Sequence, residues 1–262
     1  MRRVALALLL ALLTPAALAR ELLACGHPSY PPVSWHSQGE LVGLAPQVVR
    51  QLFGELGHEV RLLALGNWKR CLLEARQGRV DIVVAAYRTG EREAWMGFSD
   101  AALVADPILL FAHRDQPIRF RHWDELRGLT VGLLLGDSFG ERFDRFAERH
   151  LNIEWVSSGE QNFIKLARGQ IDFMPVGLYA WTLQNQRFGY DQLIVHQPGE
   201  LVTEHYHIGV RRDPILLALL PRIDRRLREL HADGTLQRLD RHYSARYRGE
   251  PHRMPSLYDP TP

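Results

Sequence analysis

The stretch that decides the fold runs from Arg79 to Asp100 and reads RVDIVVAAYRTGEREAWMGFSD. Its apolar, β-branched part, Val80–Ala86, follows Gly78 and ends in a polar turn. This pattern predicts a buried strand of a parallel sheet, because both faces of such strands are covered. Arg92 follows the carboxyl end of that strand, where open α/β sheets bind their ligands. Since a guanidinium holds a carboxylate through two parallel hydrogen bonds, Arg92 is predicted to anchor a small-molecule ligand.

Residues 1–19 have the organisation of a secretory signal peptide. Arg2 and Arg3 precede the apolar run Val4–Leu13, and Ala17-Leu18-Ala19 supplies a small-residue cleavage motif. The apolar run is too short to span a bilayer. The sequence therefore predicts export and a mature chain of about 240 residues, enough for one large domain or two lobes.

The net charge bears on the kind of partner that the protein can bind, and the cysteines bear on whether it contains a disulfide. Loss of Arg2 and Arg3 lowers the formal net charge from +2 to zero, and this near-neutral balance predicts neither nucleic acid nor anionic membrane as a partner. The two cysteines, Cys25 and Cys71, can form one disulfide in an oxidising compartment or remain two buried thiols. Their spacing alone does not decide between these alternatives.

The chain contains two copies of one strand–helix pattern. The first copy reads β-α-β-α-β, with strands predicted at Glu21–Gly26, Val60–Leu65 and Val80–Ala86 and helices that begin near Pro46 and Asn67. The second copy has strands at Leu129–Leu135, Ile153–Val156 and Ile171–Val176. Right-handed crossovers turn each copy into a mainly parallel sheet flanked by helices, so the sequence predicts two α/β lobes and not one long sheet.

Two long extended segments, near residues 105–112 and 201–209, are predicted to join the lobes as a two-stranded hinge around a cleft. Asp213-Pro214 begins a long helix, which Asp233-Gly234 interrupts and which is predicted to end near Tyr243. The predicted division is 1–19 signal peptide, 20–107 and 206–250 lobe 1, 108–205 lobe 2, and 251–262 tail.

A series of short motifs extends over nearly all of the predicted mature chain. They are YPP at Tyr30–Pro32, Leu41-x-Gly43, Gly78-x-x-Asp81, Thr89-x-Glu91-Arg92, Phe98-Ser99, Leu126-x-Gly128, Val131-Gly132, Gly169-x-x-Asp172 and Asp233-Gly234-Thr235-Leu236. In this order and spacing the chain resembles the family-3 periplasmic solute-binding proteins, which serve ABC transporters of polar amino acids. The resemblance implies a type II periplasmic-binding-protein fold, a periplasmic monomer, a small-molecule ligand, a membrane permease as partner, and neither cofactor nor metal.

The resemblance also implies a set of ligand-binding residues. Tyr30 and Trp68 would sandwich the ligand side chain, Arg92 would bind its carboxylate, and Asp137 and Ser138 would lie at an anion-binding helix N-terminus. Further candidates at matching or adjoining positions are Ala85, Tyr87, Thr89 and Phe139.

Four positions depart from the family pattern. Ala85 and Tyr87 stand where small hydroxyl residues are common before the arginine. The acidic residue that receives a ligand α-amino group falls on Gly177, so that salt bridge is missing. Asp137 replaces a threonine and either supplies the missing negative charge or acts as a helix N-cap.

Other interpretations of the same residues remain open at this stage. Arg92 can be a surface arginine paired with Glu91 or Glu93, and Trp68 can be a core residue of its helix. The leading function is a solute receptor and not an enzyme. The alternatives are a periplasmic cyclohexadienyl-type dehydratase, although its catalytic glutamate would fall on Ala180, and a ligand-sensing partner of a membrane receptor.

Overall fold

The computed structural model describes residues 21–251 of the 262-residue chain. The predicted signal peptide and the predicted tail beyond residue 251 lie outside the described residues. The elements are, in chain order, β1 (Leu22–Cys25), β2 (Ser29–Tyr30), β3 (Ser34–Ser37), β4 (Glu40–Val42), α1 (Leu44–Glu55), β5 (Val60–Leu62), α2 (Trp68–Arg76), β6 (Ile82–Tyr87), α3 (Gly90–Glu93), β7 (Met96–Phe98), β8 (Val104–His113), β9 (Thr130–Leu134), α4 (Glu141–His150), β10 (Asn152–Val156), α5 (Gly159–Ala167), β11 (Phe173–Gly177), α6 (Leu178–Phe188), β12 (Ile194–Arg211), α7 (Pro214–Ala232) and α8 (Thr235–Gly249). Short 3-10 helices occupy Trp123–Leu126 and Tyr190–Gln192.

Nine strands form one large mixed sheet in the order β10-β9-β11-β8-β12-β6-β1-β5, with β7 also beside β12. The first half of the sheet has β1 parallel to β5 and β6, and the second half has β9 parallel to β10 and β11. The crossing strands β8 and β12 are antiparallel to each other and to their neighbours β11 and β6. The fold is therefore the predicted one, an α/β structure with two mainly parallel halves and two strands between them.

The two halves belong to one continuous hydrogen-bonded sheet, whereas the sequence predicted a separate sheet for each half. The reason is the length of the crossing strands, which have 10 and 18 residues. Strand β12 begins at Ile194, seven residues before the predicted extended segment, and its early part continues the pairing with β8. Each crossing strand is thus long enough to contribute to both halves.

Burial explains the central strand of the first half. All six residues of β6 are buried, because α1 and α2 pack against this strand and its neighbours on both sides are β1 and β12. In the second half, α4, α5 and α6 pack in the same way against the strands β8–β11. The continuous apolar run of the deciding stretch therefore forms the fully covered strand that its composition predicts.

The C-terminal helix is longer than predicted. Helix α8 ends at Gly249 and not near Tyr243, because Tyr247, one turn later, is also buried. The Trp35 ring contacts both tyrosine rings at centroid distances of 6.0 and 5.4 Å. Periodic packing against Trp35 thus carries the helix one turn further than the last predicted apolar position.

A disulfide connects α2 to the sheet. Cys25 ends β1, Cys71 lies one turn into α2, and their Cα atoms are 5.7 Å apart in the bonded pair. Asn67 caps the same helix, since its side chain accepts a hydrogen bond of 2.9 Å from the Arg70 N–H. The start of α2, including Trp68, is therefore held on the sheet from two directions.

We expect the double variant Cys25→Ala/Cys71→Ala to lower the free energy of unfolding by roughly 2–4 kcal/mol, because the bond closes a loop of substantial length. The sequence separation of the two cysteines is 46 residues. Denaturant titration of the oxidised protein, the reduced protein and the variant measures the effect. Equal midpoints for all three would contradict the prediction.

Candidate functional site

Arg92 lies at the boundary between the two halves. Thr89 caps the short helix α3 and places Arg92, because its hydroxyl accepts a hydrogen bond of 3.3 Å from the Arg92 N–H. The Arg92 side chain is buried, with 4% of the residue exposed. Its Nη1 donates to the Tyr87 carbonyl oxygen at 2.8 Å, and its Nη2 donates across the boundary to the Gly136 carbonyl oxygen at 3.0 Å. Burial lowers the pKa of Arg92, opposed by the negative charges around it.

Aromatic rings surround this guanidinium. The Trp68 ring centroid lies 5.8 Å from the Arg92 Cζ atom, within the range of a cation–π contact. His27 contacts both Trp68 and Tyr30, at ring-centroid distances of 5.4 and 5.1 Å. The Tyr30 hydroxyl accepts a hydrogen bond of 2.9 Å from the Gly177 N–H, which makes a second polar bridge between the halves.

The predicted site residues converge on one small cavity of about 20 Å³. It is lined by His27, Tyr30, Trp68, Ala85, Ala86, Tyr87, Arg92, Asp137, Ser138, Phe139 and Tyr206. Thr89 is the exception among the predicted residues, since it lines an adjoining crevice of about 640 Å³ that shares Arg92, Asp137 and Ser138 with the cavity. The cavity has room for roughly one water, and two hydrogen bonds, Arg92 to Gly136 and Gly177 to Tyr30, join the two halves beside it.

Close approach of the halves requires a glycine at position 136. Gly136 has a φ of 94°, in the left-handed region that favours glycine. A Cβ atom there would lie 3.2 Å from the Lys69 Cα and 3.3 Å from the Trp68 ring. The absence of a side chain thus lets the Gly136 carbonyl reach Arg92.

The loop before α4 differs from the expected anion-binding helix end. The Asp144 carboxylate accepts hydrogen bonds from the Ser138 hydroxyl and, at 2.8 Å, from the Phe139 N–H. The Gly140 N–H donates to the Ser138 hydroxyl at 3.3 Å. These donors already bond acceptors of the chain itself, because an acidic residue in the first turn of α4 folds back onto the loop.

Asp137 faces the first half of the molecule. Its Oδ1 atom lies 3.3 Å from His27 Nε2, although the two groups lack hydrogen-bond geometry. Asp137 is therefore not the N-cap of α4, whose N-cap position is Gly140. It places a negative charge beside the cavity and near Arg92.

Sequence reasoning missed two buried polar groups on the crossing strands that lie beside the cavity, Asp106 and Tyr206. The Asp106 carboxylate accepts hydrogen bonds from the Tyr87 hydroxyl and, at 3.2 Å, from the Tyr206 hydroxyl. Burial raises its pKa from 3.8 to about 6, against the opposing effect of these hydroxyls. The available signal was a single acidic residue inside the apolar strand VADPILLFAH. Its partners, Tyr87 and Tyr206, are 19 and 100 residues away along the chain.

Two features that would indicate other functions are not found in the described residues. Between residues 21 and 251 no group of three His, Cys, Asp or Glu side chains is placed to hold a metal ion. In the same part of the chain no helix has the length and hydrophobicity needed to cross a bilayer.

With this geometry established, comparisons with known proteins identify the family. The sequence model of the bacterial extracellular solute-binding proteins, family 3, matches residues 22–246. The chain belongs to this family. Among curated proteins, no sequence matches significantly.

Solved structures show the same fold. This chain is similar to an amino acid ABC transporter substrate-binding protein from Streptococcus pneumoniae bound to L-arginine (16% sequence identity, covering 88% of this chain and 97% of that chain, TM-score 0.72). It is also similar to holo ArgBP from T. maritima (21% identity, 80% and 90%, TM-score 0.67). A third similar structure is a histidine kinase sensor domain (22% identity, 88% of this chain and 96% of that chain, TM-score 0.71). The likeness to these structures shows that the chain has the type II periplasmic-binding-protein fold.

The raised pKa of Asp106 predicts a pH-dependent stability. The folded state favours the protonated carboxyl, so the stability of the wild type relative to Asp106→Asn should be highest below pH 4. It should fall as the pH rises towards about 6, the folded-state pKa, and then remain level. The total change is on the order of 3 kcal/mol. Thermal unfolding of both proteins from pH 4 to 8 measures it; parallel curves would contradict the prediction.

Proposed function

We propose that the protein is a periplasmic substrate-binding protein that captures a small carboxylate-bearing solute, an amino acid or a related compound, for an ABC importer. The observation that carries this proposal is the buried Arg92 guanidinium between the two halves. Within residues 21–251 its hydrogen bonds go to backbone carbonyl oxygens, and no carboxylate forms an ion pair with it.

The electrostatics of Arg92 favour an anionic ligand. A buried charge is costly unless it is paired, and carbonyl dipoles compensate a guanidinium less well than a carboxylate does. A ligand carboxylate that replaces the Gly136 carbonyl at Nη2 would form a charge-assisted hydrogen bond and remain in contact with both halves. The Trp68 ring beside the guanidinium also suits the apolar part of an amino-acid side chain.

Opening and closing would take place at the crossing strands. We assign lobe 1 to residues 20–107 and 206–250 and lobe 2 to 108–205, with the lobes joined where β8 and β12 pass between them. In the open form, Arg92, Tyr30 and Trp68 of lobe 1 would receive the ligand. Contacts from Gly136, Asp137 and Ser138 of lobe 2 would then favour closure, because only ligand contacts specific to the closed state can drive it.

The proposed compartment and partner follow from the sequence and the family. Residues 1–19 read as a cleaved signal peptide, and the family is extracellular. The structural neighbour from Streptococcus pneumoniae is described as part of an amino acid ABC transporter. We assign the closed form as the state that a membrane permease recognises.

A second candidate function is ligand sensing, which the similarity to a histidine kinase sensor domain favours. The cleft chemistry would be the same, and the partner would be a membrane receptor in place of a permease. We do not assign an enzyme activity. Ala180, the position of a dehydratase glutamate, is a buried residue of α6 without an ionisable group.

We expect Arg92→Gln to weaken binding of an amino-acid ligand by at least about 2 kcal/mol, or roughly 30-fold, because it removes the charge that meets the ligand carboxylate. A thermal-shift screen of the twenty amino acids and common organic acids would identify the ligand, and calorimetry would measure its affinity. Arg88→Ala is the matched control: this neighbouring arginine is exposed and pairs with Glu93 and Asp100. Equal affinities of wild type and Arg92→Gln would remove the anchor role.

A further inference from the structure

The second charged group between the two halves is the Asp106 carboxylate. Asp106 lies on β8, one of the crossing strands, and only 3% of it is exposed. Within residues 21–251 no lysine, arginine or histidine forms an ion pair with it; its partners are tyrosine hydroxyls. A buried carboxylate without a cation is costly to retain, so its chemistry points to a positively charged group from elsewhere.

Three neighbouring tyrosines, Tyr30, Tyr87 and Tyr206, bring their hydroxyls to this carboxylate. The ring of Tyr206 lies 4.6 Å from that of Tyr87 and 5.9 Å from that of Tyr30, measured between centroids. Tyrosine faces attract cations, and the hydroxyls keep the carboxylate in a fixed position. The group of three rings around one carboxylate is therefore suited to a compact ammonium ion.

Gly177 gives the carboxylate its space. A Cβ atom at this position would lie 2.3 and 2.4 Å from the two Asp106 carboxylate oxygens. The Gly177 backbone has φ −64° and ψ 135°, a conformation that any residue adopts, so backbone geometry does not require glycine here. Glycine is needed because the side chain of Asp106, from the neighbouring strand, fills the position.

Tyr87 connects the two charges. Its carbonyl oxygen accepts from Arg92, and its hydroxyl donates to Asp106. Tyr30 and Tyr206 line the cavity that contains Arg92 and also a smaller cavity of about 10 Å³ bordered by Asp106. Opening at the crossing strands would separate Tyr30 from Gly177 and uncover Asp106 from the same side as Arg92.

Resting on the proposed function, we infer that Asp106 receives the ammonium group of a zwitterionic ligand whose carboxylate binds Arg92. The ligand is accordingly an amino acid and not a simple organic acid. The other carboxylates nearby are less suited to this role. Asp137 already faces His27, and Glu204 is only partly buried beside Gly140.

The test measures binding of two pairs of probes by calorimetry: L-glutamine with glutaramate, and L-arginine with 5-guanidinopentanoate. The second member of each pair lacks only the α-ammonium group. For at least one pair, wild type should bind the amino acid at least ~10-fold more tightly than its analogue. Asp106→Asn should remove this preference by weakening the amino acid alone, with the analogue's affinity within about twofold of wild type.

Two further variants sharpen the result. Asp137→Asn keeps the shape of the competing carboxylate and should retain the preference for the amino acid. The exchange variant Asp106→Ala/Gly177→Asp places a carboxylate on β11 at the vacated position and should restore part of the preference that Asp106→Ala loses. Circular dichroism and thermal unfolding verify that each variant is folded.

Several outcomes would overturn the inference. If Asp106→Asn weakens both members of a pair equally, Asp106 has a structural role only. If Asp137→Asn alone removes the preference, the ammonium group binds there. Equal binding of the amino acid and its analogue by wild type would contradict the inference while leaving the carboxylate proposal intact. Failure of wild type to bind any of the four probes, or any acid in the thermal-shift screen, would contradict both.

Discussion

A guanidinium buried between two halves of a protein needs acceptors on both sides, and Arg92 has them in the carbonyl oxygens of Tyr87 and Gly136. Much of the surrounding structure serves this arrangement. Thr89 fixes the short helix that carries Arg92, and Gly136 lets the second half approach the start of α2. The disulfide and the Asn67 cap hold α2, so the Trp68 ring remains beside the guanidinium.

The contacts of Arg92 and Tyr30 also join the two halves of the molecule. One hydrogen bond joins Arg92 to Gly136, and another joins Gly177 to Tyr30. Apart from these, the two halves of the sheet are connected through the strands β8 and β12. Under the proposed function, a ligand would stabilise the closed form by replacing one of these two hydrogen bonds and adding contacts of its own.

Charge burial also has a cost for stability. Asp106 is desolvated without a cation in the described part of the chain, and burial raises its pKa to about 6. The three tyrosines around it bring hydroxyls as well as ring surface, so the carboxylate is hydrogen-bonded but not neutralised. A buried carboxylate of this kind suits an ammonium ion, which is the ligand group that we infer Asp106 receives.

The sequence by itself determined the fold and most of the cavity lining. Strand composition, helix caps and the repeated strand–helix pattern are local properties, and they identified β6, α2 and the loop after β9. The resemblance of short motifs then predicted Tyr30, Trp68, Arg92 and Asp137 as ligand contacts, and all four line the same cavity.

Only the tertiary structure decided which polar groups meet. The Ser138 hydroxyl and the Phe139 N–H, which the sequence predicted as donors to a bound anion, donate to Asp144 instead. The Asp106 carboxylate occupies the space beside Gly177. Both results depend on contacts between strands and loops far apart in sequence or on the direction of a single side chain. Local sequence patterns predict burial and periodicity but not the directions of side chains. The environment of Asp106 could therefore be recognised only from the tertiary structure, in which Tyr87, Tyr206 and Gly177 lie around its carboxylate.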